Sequence, residues 1–296
     1  MRAMRKDRSA TLALVGVTAI WGSTFVVVKD AVAAMPVTDF LTWRFSLAAL
    51  VMLLLRPRSV AALGRSGRRA GALVGLALGA GYLLQTLGLQ HTSAAVSGFI
   101  TGMFVVLTPL GAAVLLRQPP PAAAWLAVGV ATVGLGLLSL HGFAIGSGEL
   151  LTLGCAAAFA LHIVGLGRWA SSHDAFGLAV VQLLTTALLC GLVAVPGGLV
   201  VPPDAGVWGA LALTALAATA LAFVVQTWAQ AHLAPARAAV VMTMEPVFAG
   251  VFAVLVAGEV VGPRMLVGAA LVLTAMVLTE VGPRHGAEGA LERLEV

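Results

Sequence analysis

Long apolar runs separated by short polar stretches set the pattern of this chain. Ten runs, at 10–28, 39–55, 70–89, 94–116, 122–140, 148–167, 175–195, 206–229, 236–257 and 265–281, read as membrane-crossing helices. About 20 apolar residues span the hydrocarbon core as a helix, whereas a membrane strand needs only about 9–11. Periodicity cannot separate helix from strand in a continuous apolar run. Length can, and these runs are too long for strands. The connecting stretches are short, so no soluble domain is expected between them.

The polar positions inside the runs recur. Tyr82-Leu83-Leu84-Gln85-Thr86, with His91 five residues on, returns as Phe223-Val224-Val225-Gln226-Thr227, with His232 five residues on. Ala19-Ile20-Trp21-Gly22 matches Ala157-Ala158-Phe159-Ala160. Arg44 matches Gln182, Thr108-Pro109 matches Glu245-Pro246, and the stretch from Trp125 to Gly129 lies opposite Met265-Leu266-Val267-Gly268. The chain therefore divides into repeats at 1–141 and 142–283, followed by a polar tail at 284–296. Five helices per repeat is an odd number, so the second repeat must cross the membrane in the opposite sense. The expected fold is an all-α polytopic membrane protein of ten helices in two inverted five-helix repeats. Such repeats usually build transporters with a site near the bilayer midplane.

Composition agrees: 60% of residues are hydrophobic, 10% are charged, and the mean hydropathy is +1.03. A soluble domain carries about a quarter charged residues. The net charge of +5 reports orientation instead of nucleic-acid binding. Lys and Arg in short loops mark the cytoplasmic side. With the N-terminus inside, Arg2, Arg5, Lys6, Arg8, Arg56, Arg58, Arg65, Arg68, Arg69, Arg117, Arg168, Arg237, Arg284 and Arg293 are cytoplasmic. Only Lys29 and Arg264 flank outer loops. Both termini are therefore expected inside, with the basic clusters against anionic inner-leaflet lipid. The basic start, the apolar stretch and Ala31-Val32-Ala33 have the outline of a signal peptide. The run is long enough to span, and Trp21 has a repeat counterpart, so it is taken as the first helix.

Cys155 and Cys190 are expected to be small packing residues. No metal-type Cys or His spacing is present, and no cofactor is expected. Gly71, Gly75 and Gly79, and separately Gly98 and Gly102, form ladders that let helix backbones approach closely.

Ionisable residues inside a span are costly and are functional candidates. Glu245 either meets a substrate ammonium group, carries a proton, or serves backbone disturbed by Pro246. Arg44 either holds a substrate carboxylate or plays a structural part, snorkelling or pairing with Asp39 or Asp30; the structural part is the expectation. His162 either binds substrate or packs. Tyr82, Gln85 and Thr86 share one helix face, and Phe223, Gln226 and Thr227 repeat it. These pairs either orient a ligand or bond helix to helix. Trp21, Phe25, Phe99, Met103, Phe159 and Met242 would complete an aromatic and thioether lining. The candidate binding set is thus Trp21, Phe25, Tyr82, Gln85, Phe99, Met103, Phe159, His162, Phe223, Gln226 and Glu245.

The run Ala19-Ile20-Trp21-Gly22-Ser23-Thr24-Phe25, then Arg44, Thr108-Pro109 and Glu245-Pro246-Val247-Phe248, resembles the EamA-type transporters of the drug/metabolite transporter superfamily. The resemblance covers nearly the whole chain. It implies ten helices in two inverted repeats, with a central cavity lined mainly by helices 1–4 and 6–9. It also implies export of amino acids and related metabolites from bacteria across the plasma membrane, as by YddG-type exporters. Family members often carry Gly-Glu after helix 4. This chain has Arg117-Gln118-Pro119 there and keeps Gly258-Glu259 after helix 9.

The expected function is secondary transport of small amphipathic metabolites, amino acids with aromatic or other apolar side chains first among them. Alternating access is expected, helices 3 and 4 closing the outer side and helices 8 and 9 the inner. Proton coupling stays open, and so does export of drugs or nucleobase-like metabolites. An intramembrane enzyme would need a catalytic constellation and a channel would need a filter-like loop or charged rings; neither is evident.

Overall fold

The computed structural model describes residues 2–116, 122–141, 144–233, 238, 241–242 and 244–281. Arg117, Gln118, Pro119, Arg237, Arg284, Arg293 and the tail at 284–296 lie outside these residues. The helices are α1 (Arg2–Ala34), α2 (Val37–Leu55), α3 (Gly64–Leu89), α4 (Ala94–Gly102 and Phe104–Leu116) and α5 (Ala122–Ser139). They continue with α6 (Ser147–Trp169), α7 (Ala175–Ala194), α8 (Ala205–Ala215, Leu216–Leu221 and Ala222–Gln230), α9 (Met244–Leu255) and α10 (Pro263–Val281). A two-residue antiparallel ladder, Leu140 with Ile145 and His141 with Ala144, lies between α5 and α6. Seven helices among the described residues are long and apolar enough to cross a membrane, and Trp125–Leu137, Met244–Leu255 and Pro263–Leu278 are shorter apolar helices.

Local chemistry sets the ends. Pro36 removes an amide and separates α1 from α2. Ser93, Asp174 and Asp204 cap α4, α7 and α8 by accepting from the amides of Val96, Gly177 and Val207, donors that a helix start leaves unpaired. After α9, Gly258 takes φ +64 and the Glu259 amide reaches back to the Ala253 carbonyl at 3.0 Å. Glycine is the usual residue for a left-handed turn that ends a helix.

Two helices are irregular. α4 breaks at Met103, next to Gly102 and six residues before Pro109. Pro109 lacks the amide that would bond to the Val105 carbonyl. In α8 the turn Leu216–Leu221 is a π-helix, a wide turn that is frequent at functional sites.

The bundle is apolar outside and carries its polar groups within. Leu54, Leu73, Trp125, Leu126, Leu150, Leu188 and Leu192 are exposed. Arg44, Thr86, Thr101, Thr152, His162, Gln182, Thr186, Thr219, Gln226 and Glu245 are buried. A hydrocarbon solvent imposes this arrangement, since it offers polar side chains nothing. Cys155 and Cys190 are buried and unbridged.

Helices pack mainly across the two halves. α1 lies on α9 and α4 on α6; α3 lies on α7 and α2 on α8; α3 also lies on α6 and α1 on α8; α2 meets α7, and α5 meets α10. Exchanging the halves reproduces every pairing. The exchange is unequal in two places: α3–α6 packing is much more extensive than α1–α8 packing, and α3–α7 packing than α2–α8 packing.

The glycine ladders make these approaches. A Cβ at Gly75 would sit 2.7 Å from the Gln182 carbonyl oxygen of α7, and one at Gly71 would sit 2.7 Å from Val181. Gly22 meets the backbone of α9 at Glu245 and Ala249, and Gly98 meets Ala249. Gly75→Leu is expected to cost at least the ~1–3 kcal/mol typical of overpacking, because the obstacle is backbone. Detergent-purified Gly75→Leu should unfold at lower temperature or elute as aggregate. Gly16→Ala, with nothing within 4 Å, should behave as wild type. Equal melting curves for all three proteins would refute this account of the ladder.

Candidate functional site

A cavity opens at the centre of the bundle. Its walls come from α1 (Trp21, Thr24, Phe25, Val28), α2 (Arg44), α3 (Leu78, Tyr82, Gln85, Leu89) and α4 (Phe104). The second half supplies Phe159, His162 and Ile163 from α6, Phe223 and Gln226 from α8, then Met242 and Glu245. Neither α5 nor α10 contributes. The cavity measures about 50 Å³. At roughly 10–15 Å³ per water it holds a few waters, so an amino acid would need its walls to move.

Of the eleven residues expected at a site, nine line this cavity: Trp21, Phe25, Tyr82, Gln85, Phe159, His162, Phe223, Gln226 and Glu245. Two do not. Phe99 lies over Gly250 of α9, 3.4 Å from where a Cβ would stand. Met103 is buried at the break in α4.

Aromatic rings form the framework. Tyr82 makes edge contacts with Phe45, Phe159 and Phe223 at centroid distances of 4.9, 5.3 and 6.2 Å. Trp21 tilts against Phe223 at 5.5 Å, and His162 meets Phe223 edge-on at 6.0 Å. The Trp21 indole N–H donates to the Ala218 carbonyl at 2.8 Å. Ala218 belongs to the π turn of α8, so the irregular helix fixes the ring.

Most of the polar groups are tied between helices. Gln85 Nε2 donates to Thr101 Oγ1 at 3.2 Å. His162 Nε2 and Gln182 Oε1 are 2.7 Å apart, and Gln182 Nε2 donates to Thr227 Oγ1 at 3.2 Å. Gln226 Nε2 points to Met242 Sδ at 3.8 Å, while its buried Oε1 has no partner among the described residues.

Arg44 departs from expectation. Asp39 does not pair with it: Asp39 Oδ2 accepts from the Val200 amide at 3.1 Å and Oδ1 from the Thr38 hydroxyl at 3.2 Å. Asp30 is exposed and does not pair with it either. Arg44 lies five positions after Asp39, which puts them on different helix faces. Arg44 does not snorkel; it is 2% exposed. Its Nε donates to Thr219 Oγ1 at 2.8 Å and its Nη2 to the Tyr82 hydroxyl at 3.4 Å. Its guanidinium lies 4.7 Å from the Tyr82 ring centroid. Thr219 sits on the π turn. Composition gave no sign of that turn, and the repeat alignment gave no partner for Thr219.

Glu245 is 7% exposed, and its side chain makes no hydrogen bond or ion pair among the described residues. Among the described residues, the reading in which it serves the backbone near Pro246 has no bond behind it. A charged side chain at membrane depth costs roughly 3 kcal/mol on insertion scales. Two such charges, of opposite sign and unpaired with each other, face one cavity.

Above the cavity, the ends of α1, α3, α4, α6 and α9 are laced together. Glu259 accepts from the amides of Ala94 and Ala95 at 2.8 and 3.2 Å and lies 3.9 Å from Lys29 Nζ. Lys29 donates to the Thr92 carbonyl at 3.0 Å, and the Thr92 hydroxyl donates to Glu149 Oε1 at 2.8 Å. The left-handed turn at Gly258 aims Glu259 at the start of α4. This gives the retained Gly-Glu pair a task.

A helical bundle with an apolar exterior and a central cavity of few polar groups is the build of a membrane carrier for small molecules. Comparison with known proteins agrees. The model of the EamA-like transporter family matches this chain twice, over residues 8–140 and 146–281. An uncharacterized transporter of Archaeoglobus fulgidus is 33% identical over 273 residues, covering 92% of this chain and 86% of that protein. A crystal structure superposes with a TM-score of 0.63 at 20% identity, over 98% of this chain and 99% of that one; at that identity the likeness concerns the fold alone. The chain belongs to the EamA-like transporter family. It is a multi-pass membrane transporter of small substrates.

Proposed function

We propose that this transporter exports amino acids with aromatic or other apolar side chains across the bacterial plasma membrane, by alternating access at the central cavity. The observation that carries the reading is an aromatic-walled cavity in which the Glu245 carboxylate has no partner among the described residues. An ammonium group would supply the missing charge, and Trp21, Phe25, Tyr82, Phe159 and Phe223 suit an apolar side chain.

The frame of the proposal is ten membrane helices in two inverted repeats, 1–141 and 142–283, with both termini cytoplasmic. The double family match and the exchangeable helix pairings support two repeats. The basic loops support the orientation. In that orientation the Glu259 network lies on the outer side. The Glu259 network and the Thr92–Glu149 bond at that end favour outer closure in this conformation.

The test is counterflow in proteoliposomes. Vesicles loaded with unlabelled L-phenylalanine or L-tryptophan should accumulate labelled L-phenylalanine. Vesicles loaded with aspartate, arginine or a nucleoside should not. Saturable counterflow of a nucleoside or a cationic drug, with none of the aromatic amino acids, would replace this reading with the drug or nucleobase alternative.

A further inference from the structure

The proposal here rests on the amino-acid reading and concerns the end of the substrate that Glu245 does not explain. A guanidinium offers five N–H donors. Arg44 has a hydroxyl acceptor within reach at two of them, Thr219 at 2.8 Å and Tyr82 at 3.4 Å. Both acceptors are neutral, and so are the Tyr82 and Phe45 rings beside it. No carboxylate among the described residues lies within 4.0 Å of Arg44. It is nonetheless 2% exposed and forms part of the cavity wall. A buried charge of this kind calls for a counter-charge.

The opposite deficit is found on the same cavity. Among the described residues, Glu245 has no cationic partner, and the carbonyl oxygen of Gln226 is buried without a donor. One wall therefore offers donors and positive charge, and another offers acceptors and negative charge, with the aromatic cluster around them. Thr219 and Tyr82 hold the guanidinium from two different helices, α8 and α3, which fixes its plane.

We propose that Arg44, held by Thr219 and Tyr82, binds the α-carboxylate of a zwitterionic substrate while Glu245 and Gln226 Oε1 receive its ammonium group. The site then requires both charges on one small molecule. Arginine suits the role, because its planar fork matches the two oxygens of a carboxylate. Amines and amides that keep the aromatic ring and the ammonium group leave Arg44 buried and unpaired. A site built around such a contact rejects analogues that lack it.

The experiment is competition against labelled L-phenylalanine counterflow in proteoliposomes, using L-phenylalanine, its amide, 2-phenylethylamine and 3-phenylpropionate. In wild type the amide and the amine should need about 100-fold higher concentration than phenylalanine. Arg44→Gln should bring phenylalanine down to the level of its amide and leave the amide within about threefold of its wild-type value. Thr219→Val and Tyr82→Phe, which loosen the guanidinium without removing it, should raise KM for phenylalanine more than for the amide. If the amide competes within about threefold of phenylalanine in wild type, the carboxylate is not read: this proposal falls and the amino-acid reading stands. If no amino acid shows counterflow, both fall. The wild-type series decides the matter even if Arg44→Gln does not fold.

Discussion

Glu245→Gln is expected to abolish counterflow of aromatic amino acids at any practical concentration while leaving the folded protein intact. Removing one partner of a desolvated charge pair costs about 3–5 kcal/mol. At 1.4 kcal/mol per tenfold, half-saturation should rise by about two to three and a half orders of magnitude. The side chain holds no hydrogen bond or ion pair among the described residues, so glutamine disrupts no internal contact. It also removes a charge that burial at membrane depth disfavours. Melting temperature without substrate should therefore stay level or rise. Stabilisation by phenylalanine, present in wild type, should vanish. A Glu245→Gln protein with wild-type KM would remove the ammonium subsite and with it the main support for the amino-acid reading.

The long elements were the easiest to read from the chain, because an apolar run has few alternatives in lipid. Their ends were harder. α1 begins at Arg2 and α3 at Gly64, ahead of the apolar runs at 10–28 and 70–89, because polar residues continue a helix once it has left the hydrocarbon. The breaks inside runs were invisible. Nothing in the Leu-Ala-Ala-Thr-Ala-Leu stretch at 216–221 announces a π turn, yet that turn presents Ala218 to Trp21 and Thr219 to Arg44.

The cavity wall was legible where the two halves repeat. Tyr82 and Gln85, with their counterparts Phe223 and Gln226, hold matching positions of the repeat on α3 and α8, and all four line the cavity. Phe99 and Met103 lie outside the wall, and for a plain reason the chain does not show it: an apolar residue on an apolar helix carries no sign of which way it faces. Asp39 stands close to Arg44 in sequence and yet is not its partner. The Val200 amide takes that carboxylate instead, a contact between segments 161 residues apart that no local pattern announces.

Locking the outer network is expected to stop transport as completely as removing Glu245. Thr92→Cys with Glu149→Cys replaces side chains that bond at 2.8 Å and ties the end of α3 to the start of α6. Gly88 and Gly148 already bring those helices together: a Cβ on Gly88 would sit 2.7 Å from the Gly148 carbonyl oxygen. The cavity, at about 50 Å³, is too small to pass an amino acid unless its walls part. Alternating access requires this outer contact to open in every cycle, and a covalent bridge is far stronger than the hydrogen bonds and the Lys29–Glu259 pair it would reinforce. Crosslinking should reduce counterflow to the level of protein-free vesicles, and a reductant should restore it. A control pair, Gly134→Cys with Leu271→Cys, joins α5 to α10, where a Cβ at Gly134 would lie 3.0 Å from Leu271 Cβ. Those helices supply no cavity residue, so that bridge should leave counterflow within about twofold, since packed helices that move as one body pay nothing for being tied. Undiminished counterflow with the Thr92–Glu149 bridge complete would mean that substrate crosses without this end opening, and alternating access between α3 and α6 would be excluded.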